Sequence, residues 1–322
     1  MLASGAVVAL SFCLLPQAFA QAMVRVRVAD NVPPQSAYIK SLQDKYKGTI
    51  RAVKKKNGRV TLINHVPLED YVKGILLHEA SHYWPKEAIE AQAIVCRTFA
   101  LYQMQERKHA LFDVTADVYS QVYGGSASER YRTNEAVDAT SGLVLKYKGA
   151  LFPAYFHSTC AGHTEDAHQL WNISIPPLRG VRCGFCYGSP RLRWDYRIAI
   201  GEAEKILQRK GLFSGSLSDI RIERKDASGR IVDLSLVGKH KRTIAGKDFR
   251  EAIGPDKIRS LNFTIAKQGG AFVMEGLGWG HGVGLCQWGA YFMAKQGRTF
   301  KDIVQHYYPG ADIAQLTTKT DS

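Results

Sequence analysis

The chain is short of acidic residues: 43 Lys+Arg stand against 29 Asp+Glu in 322 residues, a formal charge of +14. That imbalance leaves the fold open but points to a polyanionic partner such as nucleic acid, anionic lipid or an acidic polymer, because summed charge steers encounter. Beyond the first twenty residues no run approaches the ~20 apolar residues that cross a bilayer, which excludes a multi-span membrane protein. Six cysteines in a chain of this length are too few and too scattered for a disulfide scaffold. Internal repeats and low-complexity linkers are absent. With 45% hydrophobic and 22% charged residues, disorder and collagen are excluded as well. What remains is a globular protein of one large domain or two ordinary ones.

The first twenty residues, MLASGAVVALSFCLLPQAFA, carry no charge, and their apolar stretch ends in the small-x-small triplet Ala18-Phe19-Ala20. The pattern predicts a signal peptide over 1–20 and a secreted, periplasmic or cell-envelope protein. A basic n-region is missing, so an uncleaved N-terminal membrane anchor is the alternative. Bulky Phe12 argues against lipidation at Cys13.

Residues 21–65 read as a β segment, with Lys56-Asn57-Gly58 as a hairpin turn whose flanking Arg51, Lys54, Lys55 and Arg59 face solvent. Two helices are predicted next, from Leu68 to about Ser81 and from Pro85 to about Lys108, separated by Trp84-Pro85. In the second, Ala88, Ala91, Val95, Thr98 and Phe99 recur at helical spacing and should form one buried face. A short helix near 130–140 belongs to a catalytic region spanning 66–193. An α/β lobe covers 194–275, a glycine-rich segment with two closing helices 276–313, and a tail 314–322. The class is α+β, with a helical catalytic layer and a strand-rich lobe meeting at a groove.

His78-Glu79-Ala80-Ser81-His82 matches H-E-x-x-H, a helical pair of zinc ligands with a glutamate base, so a zinc peptidase using these residues is one reading. Against it, no third-ligand pattern follows and Pro85 interrupts the helix. Nucleotide binding by the glycine run fails for lack of a P-loop lysine or a dinucleotide fingerprint.

A more specific likeness spans residues 60 to 313. VPLEDYVKGILLHEASHYWPKEAIEAQAIVCRTFALYQM resembles the signature of the stage II sporulation protein D family, roughly LExYVxGVxxxEM followed by WPxEALxAQAVAARTYAL. Ser120-Gln121-Val122-Tyr123-Gly124-Gly125 agrees with a second block. Tyr155-Phe156-His157-Ser158-Thr159-Cys160-Ala161-Gly162-His163-Thr164 is similar to the family's YHSxxGGHT, and Gly280-His281-Gly282-Val283-Gly284-Leu285-Cys286-Gln287-Trp288-Gly289-Ala290 to its GHGVGMSQYGA.

The resemblance implies lytic transglycosylation of peptidoglycan glycan strands freed of stem peptides, with Glu79 as the catalytic glutamate. It also leaves open a non-catalytic enhancer of a cell-wall amidase. Specific nucleic-acid recognition is not expected.

One carboxyl suffices for that reaction. The sugar's own C6 hydroxyl attacks C1 and closes a 1,6-anhydro ring, so the same group can act first as acid and then as base. Holding a proton near neutral pH requires an apolar setting. Gln92, Arg97, Gln121, Tyr123, His157, Ser158, His281 and Gln287 are the expected substrate-binding residues. Arg97 could instead be a buried ion-pair partner or restrain Glu79. The glycines around His281 would let backbone approach a ligand closely.

Cys160-x-x-His163 followed by Cys183-x-x-Cys186 supplies four ligands in two close pairs, the spacing of a closed structural zinc site. His157 is a substitute ligand, and a Cys183–Cys186 disulfide is the alternative. Cys96 and Cys286 read as small core residues.

Overall fold

The computed structural model describes residues 22–35, 37–117 and 120–316. The signal peptide expected over 1–20 lies outside them, as do the last residues of the tail. Among the described residues no helix is long and apolar enough to cross a membrane. The class is α+β, with helices and several small sheets.

The first layer contains β1 (Met23–Val32), α1 (Ala37–Lys45), β2 (Thr49–Lys54), β3 (Val60–Pro67), α2 (Leu68–Glu79), α3 (Lys86–Glu106), β4 (Val114–Thr115) and α4 (Tyr131–Ala139). The strands form one sheet in the order β2-β3-β1-β4. The Lys55–Arg59 hairpin closes with Gly58 at φ +78. Nothing in the sequence pattern announced α1.

In α2, Leu68, Tyr71, Val72, Ile75 and Leu76 recur at helical spacing and are all buried, while Glu69 and Asp70 favour the positive end of the helix dipole. The helix stops at Glu79. Ala80 is extended, at φ −135 and ψ 132, and Trp84 closes a turn onto Ser81 before Pro85 opens α3.

The expected face of α3, Ala88, Ala91, Val95, Thr98 and Phe99, is buried, and so is the opposite one. Every residue from Ala88 to Ala100 is buried. Ala88, Ala91, Ile94 and Val95 belong to one hydrophobic cluster, and Ile89, Ala93, Cys96 and Ala100 to a second. The helix is the wall between two cores, and a helix covered all round has no polar stripe for periodicity to detect.

Beyond α4 the chain makes β5 (Leu143–Tyr147), β6 (Ala150–Leu151), β7 (Phe156–His157) and α5 (Ala167–Trp171). The second lobe follows as β8 (Arg193–Ala199), α6 (Ile200–Arg209), β9 (Asp219–Lys225), β10 (Ile231–Val237), β11 (Lys241–Ala245), α7 (Gly246–Ile253), β12 (Phe263–Gln268) and β13 (Ala271–Leu277). It builds two antiparallel sheets, β11-β10-β9 and β12-β13-β8, covered by α6 and α7 through Ala203, Leu207, Phe249 and Ile253. Helix α5, at five residues, is too short for periodicity to reveal it. The chain ends with β14 (Leu285–Cys286), α8 (Gln287–Lys295), α9 (Phe300–Tyr307) and β15 (Asp312–Gln315). Helices α8 and α9 pack on α3, and β15 pairs with β5.

Candidate active site

Glu79 is the last residue of α2, and its carboxylate Oε2 accepts a hydrogen bond of 3.4 Å from Gln287 Nε2 at the start of α8. The side chain is partly exposed, but the helices around it strip water from the carboxyl. That burial pushes it from its usual 4.5 up to about 7, against weaker pulls from Gln287 and the Val122 backbone. No second carboxylate is among the groups acting on it. Beside the pair, Trp84, Trp288 and Tyr291 form a partly exposed aromatic cluster with ring centroids 5.1 to 5.3 Å apart.

Two segments distant in sequence are zipped together behind Gln287. Strand β14 runs parallel to β7, pairing Leu285 with Phe156 and Cys286 with His157, and Thr159 bridges to Trp279. His157 is buried, with Nδ1 placed to donate to Val283 O at 3.1 Å. His281 Nδ1 accepts from the Val283 amide at 3.1 Å. Burial pushes both imidazoles down, His281 to about 3, so both are neutral near pH 7. His281 packs against Trp171 and Tyr155, with centroids 5.1 and 5.9 Å away. Ser158 is partly exposed, and its carbonyl accepts from the Trp288 amide.

The glycines of this run approach the chain's own groups. A Cβ on Gly284, at φ +71, would fall 1.9 Å from Tyr155 O, and one on Gly282, at φ +92, would strike the Arg230 guanidinium. Arg230 in turn donates to the carbonyls of Cys160 and His163, at 2.9 Å each. The second lobe thereby braces the loop that carries His281.

Four residues expected to bind substrate lie in the core. Arg97 is fully buried, doubly bonded to Glu69 at 2.8 and 2.7 Å, and also donates to the carbonyls of Leu143 and Val137. It pairs with Glu69 and leaves Glu79 alone. Gln92 donates to Cys96 Sγ, and Gln121 accepts from Tyr71 OH at 3.1 Å. Tyr123 stacks on Tyr46, and its hydroxyl donates to Asn64 Oδ1. Buried polar groups of this kind satisfy one another, which occupies the atoms a sugar would need. Of the expected set, Gln287 touches Glu79, and His157, Ser158 and His281 belong to the paired segments behind it.

The H-E-x-x-H geometry is absent. Because α2 ends at Glu79, His78 and His82 do not share a helical face. His78 Nε2 bonds Ser128 Oγ at 2.6 Å, and the His82 ring lies against Tyr83.

The sulfur cluster also differs from expectation. The ligand atoms of Cys160, Cys183, Cys186 and Cys286 all lie within 4.8 Å of one another, and all four residues are buried. His163 is outside the group, its Nδ1 bonded to Thr164 O at 2.6 Å, and the β7–β14 pairing delivers Cys286 in its place. None of these cysteines is in a disulfide. The backbone amides of Cys160 and Gly289 each donate to Cys286 Sγ at 3.3 Å.

A family profile described as Stage II sporulation protein matches residues 56–147, and one described as a domain of unknown function, DUF8618, matches 186–284. Stage II sporulation protein D of Bacillus subtilis is 32% identical over 270 residues, covering 79% of this chain and 76% of its own length. The chain belongs to the stage II sporulation protein D family. An uncharacterised protein of Brachyspira hyodysenteriae is 36% identical over 258 residues, 80% of this chain and 69% of that protein. The amidase enhancer of B. subtilis is 26% identical over 75% of this chain, which spans 40% of that relative.

Within the family's GHGVGMSQYGA pattern this chain has Leu285-Cys286 where the pattern has Met-Ser, and Cys160 stands in the YHSxxGGHT segment. Cys286 at the pattern's serine position and Cys160 at one of its free positions were the available signal for a four-cysteine cluster. No comparable signal marked Arg230.

Proposed function

We propose that this family member is exported and cleaves peptidoglycan glycan strands by lytic transglycosylation, with Glu79 as its single acid and base. The observation that carries the reading is a lone, partly exposed carboxyl held near pKa 7 and oriented by Gln287. A group poised there is protonated often enough to act as an acid and becomes a competent base once ionised. The protonated Glu79 gives its proton to the glycosidic oxygen as the C1–O bond breaks. The C6 hydroxyl oxygen then bonds to C1, and its proton returns to Glu79, so no water is consumed and no second carboxylate is needed. Gln287 holds the carboxyl, and the Trp84–Trp288–Tyr291 surface offers faces for sugar rings to stack on. Mass spectrometry of purified glycan strands after incubation tests this. 1,6-Anhydromuramyl ends are expected, and hydrolytic ends or intact strands refute the reading.

The likeness to an amidase enhancer supports a second reading, stimulation of a partner amidase without cleavage. An inert protein that accelerates a purified cell-wall amidase would establish it.

The four cysteines fit a structural zinc. Tetrahedral Zn–S bonds of about 2.3 Å place sulfurs about 3.8 Å apart, and Cys160 and Cys186 stand 3.5 Å apart with the remaining pairs inside 4.8 Å. All four donors are protein thiols in a buried shell that amide donors already support. A metal there would tie the 183–186 turn and the 160 loop to the start of α8, contributing to folding while Glu79 does the chemistry.

A further inference from the structure

Arg97 is occupied by Glu69, and a different pair of guanidiniums can meet an anionic strand. The Cζ atoms of Arg191 and Arg259 lie 4.4 and 4.2 Å from the centroid of the Trp279 ring. Arg191 is exposed, and Arg259 and Trp279 are partly so. Among the described residues neither guanidinium has a carboxylate partner. A guanidinium seated on an indole face and left without a counter-charge still has N–H donors to offer an oxyanion from outside the chain.

The arrangement is built from the backbone. The Arg191 amide donates to Ser189 Oγ, Ser189 bonds Thr159 Oγ1 at 2.8 Å, and Thr159 exchanges both backbone hydrogen bonds with Trp279. On the other side the Gly280 amide donates to Arg259 O at 2.8 Å. Thr159 follows Ser158, whose carbonyl takes the Trp288 amide, one residue from Gln287. Backbone pairing thus ties the segment that carries Trp279 to the one that carries Gln287. A hollow of about 400 Å³ on the neighbouring β12-β13-β8 sheet is a poorer anion site, since Glu275 lies opposite Asp195 there.

We infer that Arg191 and Arg259, seated on Trp279, form an oxyanion site for the carboxylates carried along a glycan strand. This rests on the glycan-cleaving reading for the identity of the strand, but the site is scored by binding and not by cleavage. Phosphate shares the chemistry, so an anionic phosphate polymer is the rival source.

The test uses the full chain carrying Glu79→Gln, so that strands bind uncut, with and without Arg191→Gln plus Arg259→Gln. Three probes are titrated: glycan strands with free lactyl carboxylates, the same strands with those carboxylates amidated, and poly(glycerol phosphate). The arginine changes should weaken binding of free-carboxylate strands by about tenfold and flatten its salt dependence, as expected for charge-assisted contacts. Amidated strands should bind both proteins alike. Equal loss on amidated strands, or no loss on either, overturns the site. Loss confined to poly(glycerol phosphate) overturns the carboxylate assignment in favour of a phosphate polymer. Arg191→Glu alone, at an exposed position, is the second variant and should weaken free-carboxylate binding more than Arg191→Gln does. Separately, native Glu79 protein is assayed for anhydro ends. A chain that fails to cleave yet binds in this carboxylate-dependent way loses the transglycosylase reading and keeps the anion site.

Discussion

Glu79→Gln should do two opposite things at once: abolish turnover and stabilise the fold at alkaline pH. Glutamine keeps the shape of the side chain and can still accept from Gln287, so the perturbation is the loss of one titrating proton. Turnover should fall roughly 10²–10⁴-fold, the usual contribution of a positioned acid-base. The folded chain holds the Glu79 proton up to about pH 7, whereas the unfolded chain releases it near 4.5. Stability contributed by the neutral form is therefore complete below pH 4.5 and is lost as pH rises through 7. At about 1.36 kcal/mol per pH unit the loss reaches about 3 kcal/mol at most, and less to the extent that solvent reaches the carboxyl. Glu165, also raised to about 7 by burial, imposes the same slope on both proteins and cancels in the difference. The assay is urea unfolding of wild type and variant at pH 4.5 and pH 8, beside product analysis. The variant should match wild type at pH 4.5 and exceed it by about 1–3 kcal/mol at pH 8. An offset that is the same at both pH values would refute the desolvated carboxyl, and with it the reason for assigning Glu79 the acid role.

Wild-type turnover should fall as pH rises above about 7, because the acid form of Glu79 disappears, and a pH profile of anhydro-end formation checks this. Cys286→Ser should eject zinc and lower the melting temperature while His163→Ala retains one zinc per chain, read by elemental analysis, and the reverse pattern would restore His163 as the ligand. Arg97→Ala leaves Glu69 facing a vacated buried site and should cost about 3 kcal/mol in urea unfolding, with strand affinity unchanged. A stable variant that has lost affinity would return Arg97 to the groove. His78→Ala with His82→Ala should keep cleavage within about tenfold of wild type, since neither ring is placed to hold a metal with Glu79.

Local signals were enough to place much of the scaffold. The apolar spacing of Leu68 to Leu76, Pro85 at the start of α3 and the Asn57-Gly58 turn each act over a few residues, so the sequence fixes them without reference to the rest of the chain. The matched motifs likewise brought out Glu79 and Gln287 in order along the chain. Tertiary structure decided which side chains share a space. A helix as polar as α3 gives no hint that it divides two cores, and only that position explains why Gln92 and Arg97 are consumed by neighbours. Cys286 looks like a core residue until the parallel pairing of β14 with β7 carries it 126 residues back along the chain to Cys160. Arg230 and the Arg191–Trp279–Arg259 assembly are equally invisible in sequence, because each joins segments whose separation hides their contact. Pattern reports what a residue does to its own few turns of chain, whereas desolvation, ion pairing and ligand geometry depend on neighbours that only the folded chain supplies.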